Sequence, residues 1–189
     1  IINEAVRRGP LAPLLIFSDG DCLPPAAYVE RHLAVHEPMS FHVGGVWRLT
    51  EEQCRDLDEA AIDAGAFEGL RTEKSARDIR KKRRKSIWGT RLRKRNRPKM
   101  LGGNFAMDRA LLQAINGFDE RFVNWGYEDS DVRDRAMRLR PRPRVKVLYG
   151  TNDVYHLWAP TSREARRKDS RAYYETKRPI RCELGLEQS

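Results

Sequence analysis

Leu11-Ala12-Pro13-Leu14-Leu15-Ile16-Phe17-Ser18-Asp19-Gly20-Asp21 is the stretch on which the fold turns. The apolar run, bounded by Pro10 and by the acidic turn, reads as a buried, central strand over 11–17. Open α/β sheets bind ligands beyond the carboxyl ends of their strands. Two carboxylates flanking a glycine at that place can face one divalent cation. A solvated turn has the same composition. With 13 Asp in 189 residues, about one Asp-x-Asp is expected by chance, and this chain has three: Asp19/Asp21, Asp56/Asp58 and Asp129/Asp131. Position separates them. Asp56/Asp58 falls inside a segment that reads as an amphipathic helix, whereas Asp19/Asp21 ends a core strand.

Outward from this strand, Pro24-Pro25 opens a helix to about Leu33. Met39 to Leu49, apolar around Gly44-Gly45, reads as a strand with a bulge or a close backbone approach. Thr50-Glu51-Glu52-Gln53 is a capping box and predicts a helix to about Ala64. The tract 74–99 reads as a basic, mobile and solvated insertion, in which Gly89 and Pro98 break any helix begun at Lys74. Leu101 to Met107 is a short apolar strand entered through Gly102-Gly103. Asp108 caps the next helix, which Asn116-Gly117 ends. Glu128 to about Leu139 is a helix with acids in its first turn, where the dipole favours them. Arg144 to Tyr149 alternates like a strand. Thr161-Ser162-Arg163-Glu164 predicts a polar, loosely packed helix to about Lys177. Strands interspersed with helices give an α/β class, organised as a domain over 1–160 and a polar helix and tail over 161–189.

The composition narrows the partners. A chain of 189 residues with 40% hydrophobic and 34% charged residues is globular and can bury a core without disulfides. Its longest apolar run is far short of the ~20 residues that span a bilayer, and no secretory leader opens it. It begins Ile1-Ile2-Asn3 and reads as a piece of something longer. Cys22, Cys54 and Cys182 are an odd, unclustered set, which points away from a disulfide scaffold or structural zinc and towards the cytoplasm. The net charge of +10 is local: twelve Lys and Arg and no acid lie between Arg80 and Lys99, and the rest of the chain carries 25 basic and 27 acidic residues.

Two further groups carry chemistry. In Asn124-Trp125-Gly126-Tyr127-Glu128-Asp129-Ser130-Asp131, two aromatics and a glycine run into acids that open a helix. A tryptophan stacks on a sugar face while carboxylates accept its hydroxyl protons, and one carboxylate can act as general base. A core Trp beside a helix start would look the same. Tyr155-His156-Leu157-Trp158 offers one histidine; a lone histidine is usually a structural or surface residue, although His is a frequent metal ligand.

Together these blocks resemble a known family. Leu101-Gly102-Gly103-Asn104-Phe105-Ala106-Met107, Ile115-Asn116-Gly117-Phe118-Asp119 and Asn124-Trp125-Gly126-Tyr127-Glu128-Asp129 are similar to the carboxyl half of the β-1,4-galactosyltransferase-like glycosyltransferases and of bacterial family-2 and chondroitin-polymerase-like enzymes. Residues 11–25 resemble the preceding DXD strand and turn. The resemblance implies a GT-A, Rossmann-like fold, here lacking amino-terminal units that hold the nucleotide base. It implies inverting, metal-dependent transfer from a nucleotide-diphosphate sugar to a glycan or other hydroxyl acceptor. By position, Asp19, Asp21 and His156 would hold Mn2+ or Mg2+, with Asp19 also touching the diphosphate. Asp129 would be the general base and Glu128 would orient hydroxyls. Trp125 would be the acceptor platform, and Gly102, Gly103, Asn104 and Tyr127 would line the donor pocket. Tyr127 stands where animal members carry Gly, and Ser130 replaces a common third acid.

The basic tract supports other readings. Arg80 to Lys99, interrupted by Trp88, is basic enough for nucleic acid, but contact with an anionic membrane surface or an acidic glycan is the stronger reading. A non-catalytic glycan-binding module is the remaining alternative.

Overall fold

The computed structural model describes residues 1–94, 96–122, 126–160, 170–176 and 178–187. Between Ile2 and His156, seven strands are interspersed with seven α-helices and a 3-10 helix (Ala66–Leu70), and the strands form two mixed sheets. The strands are β1 (Leu14–Phe17), β2 (Cys22–Leu23), β3 (Ser40–Val43), β4 (Val46–Arg48), β5 (Phe105–Asp108), β6 (Arg144–Val147) and β7 (Val154–His156). The helices are α1 (Ile2–Arg8), α2 (Tyr28–Leu33), α3 (Glu51–Arg55), α4 (Glu59–Asp63), α5 (Glu73–Arg91), α6 (Arg109–Ala114) and α7 (Glu128–Arg138). The larger sheet runs β1-β5-β3-β6, with only the β3/β6 pair parallel, and the smaller runs β2-β7-β4.

The first strand is shorter than expected and is not central. Leu11 is exposed, Pro13 has no N–H to donate, and pairing begins at Leu14 opposite Asp108. β1 bonds only β5 and so forms one edge of its sheet. The central strand is β5, whose four residues are all buried between β1 and β3. Phe17 stacks on Phe105 across that pairing, with centroids 4.5 Å apart.

Gly44-Gly45 divides the expected strand 39–49 into β3 and β4, which join different sheets. The close approach anticipated there is real. A Cβ on Gly44 would lie 2.2 Å from the Asn104 amide, and one on Gly45 would lie 2.2 Å from an Asp153 oxygen. The fully buried Asn104 donates from its amide to the carbonyls of Gly45 and Asn152, each at 2.8 Å, and accepts from the Tyr28 hydroxyl at 3.1 Å. Asp153 accepts from the Gly45 N–H at 2.8 Å and from Trp47 Nε1 at 2.9 Å. Two buried polar residues thus take up the backbone groups that the strand break releases.

Two helix expectations are corrected. The Thr50/Gln53 capping box forms, but the helix stops at Arg55, and Asp58 caps a second one by accepting from the Ala61 N–H. Asp56 and Asp58 are therefore helix-end residues rather than parts of one amphipathic helix. The basic tract is largely helical. α5 has 19 residues, opened by a reciprocal Thr72/Ser75 box. Lys and Arg are good helix formers, and Ile79, Ser86 and Gly89 give it one buried face against the core. Gly89 lies inside it without breaking it, because the missing side chain leaves room for Arg97, whose Cγ would stand 2.4 Å from a Cβ there.

The predicted 161–177 helix falls mostly outside the described residues, although 170–174 are helical. The tail beyond it is not loose. Asn116 Nδ2 donates to the Cys182 carbonyl at 2.8 Å, and Cys182 is buried. Among the described residues no helix is long and apolar enough to cross a membrane.

Candidate functional site

The acidic turn leaves β1 and is closed by the Cys22 N–H donating to the Asp19 carbonyl at 3.1 Å. β2 then pairs with β7 in a register that sets Cys22 opposite His156. The Leu157 N–H donates to the Asp21 carbonyl at 2.8 Å, which fixes the two segments together. As a result one ligand atom from each of Asp19, Asp21 and His156 lies within 4.8 Å of the others, and His156 Nε2 is 3.5 Å from Asp21 Oδ2. The sequence-predicted convergence is present.

The two ring nitrogens of the histidine are held differently. Its Nδ1 lies 2.6 Å from the Leu157 carbonyl, which can only accept, so Nδ1 carries the proton. Nε2 then presents its lone pair towards the carboxylates, the usual arrangement around metal-bound imidazole. Two carboxylates and an imidazole suit manganese or magnesium once phosphate oxygens and water complete the shell. The residues therefore fit a divalent cation.

The Gly102-Gly103 turn lies against this cluster. A Cβ on Gly103 would stand 2.8 Å from Cys22 Sγ and 3.2 Å from Asp19 Oδ2, and one on Gly102 would make ordinary contact with Asp19 at 3.7 Å. Ser18 Oγ donates to the Gly103 carbonyl at 3.3 Å. Asn104, by contrast, points into the core as described above, so it shapes the site from behind.

Glu128 and Asp129 reach the same place from α7. A cavity of about 400 Å³ is lined by Ser18, Asp19, Gly102, Glu128 and Asp129, with α1 and β1 forming its apolar wall. Glu128 has one carboxylate oxygen buried without a partner among the described residues. Burial, then the charges of Asp129 and Asp19, push its pKa above the ordinary carboxylate value. Asp129 accepts from the Ser130 N–H at 2.5 Å. Tyr127 takes the left-handed conformation at φ 72°, which glycine adopts most readily. Its ring stacks on Tyr174, with centroids 5.0 Å apart. Trp125 lies outside the described residues.

α7 is anchored from below. Fully buried Arg135 donates to Asp131 at 2.7 Å and to the carbonyls of Ile115 and Gly117 at 2.6 and 2.7 Å. Arg178 donates to the other Asp131 oxygen at 2.7 Å. These bonds fix the helix whose first turn carries Glu128 and Asp129. Arg135 and Asp153 were not singled out from sequence, and Asp131 was read there only as one of the acids that open the helix. The signal for Asp153 was its place in a polar turn just before β7. For Asp131 and Arg135 it was their i,i+4 spacing.

An acidic turn at the end of a sheet strand thus lies beside a second acidic pair, with Asp19, Glu128 and Asp129 lining one cavity. Residues 88–157 match the family described as the N-terminal domain of galactosyltransferase. No curated protein matches the chain. The matched region runs from within α5 through β7 and includes Glu128, Asp129 and His156. That match and the mixed α/β fold support a galactosyltransferase-like GT-A glycosyltransferase.

Proposed function

We propose that this domain performs inverting, metal-dependent transfer of a sugar from a nucleotide-diphosphate donor to a glycan hydroxyl. The observation that carries the reading is that Asp19 and the Glu128/Asp129 pair line one cavity, with Asp21 and His156 beside it. Asp19, Asp21 and His156 would hold Mn2+ or Mg2+. When bound, the cation supplies neutralisation of charge on the departing diphosphate.

The chain's own residues do the rest. The Asp129 carboxylate takes the proton of the acceptor hydroxyl, and that oxygen attacks the anomeric carbon from the face opposite the diphosphate. The bond to the diphosphate oxygen breaks, its electron pair leaves with the diphosphate, and the anomeric configuration inverts. Glu128, buried and biased towards its protonated form, donates or accepts at a sugar hydroxyl. Trp125 would stack on the acceptor. Gly102 and Gly103 allow the backbone to come close to the donor. The outward side of α5, where Trp88 is 59% exposed among Lys and Arg, supports peripheral contact with an anionic membrane surface on the cytoplasmic side.

Sugar-nucleotide hydrolysis and transfer, screened across donors with and without Mn2+, test the reading. General-base assistance is typically worth about 10²–10⁴-fold. Asp129→Asn should therefore lose rate on that scale and retain donor and Mn2+ binding, whereas Glu128→Gln should weaken sugar binding as well as rate. Near-normal turnover in Asp129→Asn, with Glu128→Gln inactive and binding intact, would exchange the two roles. Glycan binding without any Mn2+ binding would support a non-catalytic module instead.

A further inference from the structure

A second cavity, of about 500 Å³, lies between the carboxyl end of α5 and α7, and shares no lining residue with the one at Asp19. Arg93, Lys94, Arg97 and Arg142 line it, and none of the four makes a side-chain hydrogen bond or ion pair with a described residue. The acids that also line it are already engaged. Asp131 is held by Arg135 and Arg178, Asp134 by Arg133 and the Tyr174 hydroxyl, and Glu175 by Arg171. Arg138 is spent on the carbonyls of Arg178 and Pro179. The unengaged charge in the cavity is therefore cationic.

Arg93 and Lys94 are exposed, whereas Arg97 and Arg142 are half-buried and held by their surroundings. Left-handed turns at Arg93 and Asn96 bring the chain back towards α5, and Arg97 packs its stem on Gly89. The Arg142 Nε is buried without a hydrogen-bond partner among the described residues. A buried guanidinium N–H without an acceptor costs free energy, and an oxyanion would satisfy it. Burial, then the charges of Arg140 and Arg93, lower the Arg142 pKa, which is the direction an added anion would reverse.

We propose that this cavity binds a phosphate group. A planar guanidinium fork matches phosphate oxygens in pairs, and the dianionic form balances more of the four cations than a carboxylate would. The group could be a free phosphate or the headgroup of a lipid, and one experiment separates them.

Calorimetric titration of the full chain with inorganic phosphate, against chloride at matched ionic strength, should show saturable binding. Arg97→Gln and Arg142→Gln should each weaken it about tenfold, the loss expected for a charge-assisted hydrogen bond. Lys81→Gln, an equal charge change on the exposed side of α5, should leave it within about twofold, because distant surface charges are screened. Arg93 is exposed, so Arg93→Gln decides the matter should Arg142→Gln fail to fold.

In a second arm, phosphatidylcholine vesicles with and without phosphatidic acid are sedimented with the protein. Phosphatidic-acid-dependent binding that inorganic phosphate displaces and Arg97→Gln weakens assigns the site to a lipid headgroup. Calorimetric binding without such vesicle capture assigns it to free phosphate. Non-saturable heats, or equal losses in Lys81→Gln and the cavity variants, would overturn the proposal.

Discussion

Replacing Gly103 by alanine tests the close packing behind the acidic turn. The new Cβ would lie 2.8 Å from Cys22 Sγ and 3.2 Å from Asp19 Oδ2. The sulfur sits on a short, buried side chain of β2, in the register that also sets His156, so it has little room to yield. Overpacking of this kind typically costs about 1–3 kcal/mol. For a chain of this size that is a fall in Tm of roughly 2–12 °C. Gly102→Ala is the matched control: its Cβ makes ordinary contact at 3.7 Å, and it should shift Tm little. Scanning calorimetry of both variants reads the stability, and Mn2+ titration reads the displaced Asp19, which should weaken the ion in Gly103→Ala alone. Combining Gly103→Ala with Cys22→Ala removes the clashing sulfur, so the pair should be less destabilised than the sum of the singles. Equal destabilisation by the two glycine replacements, or strict additivity with Cys22→Ala, would refute the reasoning.

Acid should destabilise the fold through two buried histidines. Burial holds His32 at about 4, and burial with the neighbouring charges of His32, His36 and Lys146 holds His42 at about 4. Their rings meet Nδ1 to Nδ1 at 3.2 Å. The unfolded chain binds these protons near pH 6.5 and the fold does not, so stability is full above about 6.5 and falls as pH drops towards 4. Urea midpoints at pH 7.5 and 5.0 should show the fall, and His42→Gln should reduce it. Asp131→Ala leaves the fully buried Arg135 without its carboxylate, and a cost of about 3–5 kcal/mol is expected. Urea unfolding checks this, and an effect below 1 kcal/mol would mean that the pair does not anchor α7.

Elements with local causes can be read directly from residue order. The Thr50/Gln53 box, the Asp108 cap and the turn at Asn116-Gly117 formed because each depends on side chains within a few positions. The ordered blocks around Asp19/Asp21, Gly102-Gly103, Glu128/Asp129 and His156 were also legible, since residue type and spacing carry them. Other features depended on distant partners. The first strand looks central by its apolar run, but strand order is set by which edges pair, and β5 took the middle. The basic tract looks solvated by composition, yet one buried face with Ile79, Ser86 and Gly89 packs it as a helix. Asp153, Asn104 and the Asp131–Arg135 pair gain their roles only because the fold buries them where backbone groups or charges need partners. The meeting of His156 with the carboxylates was likewise decided by the β2/β7 register, a contact between segments far apart in the chain.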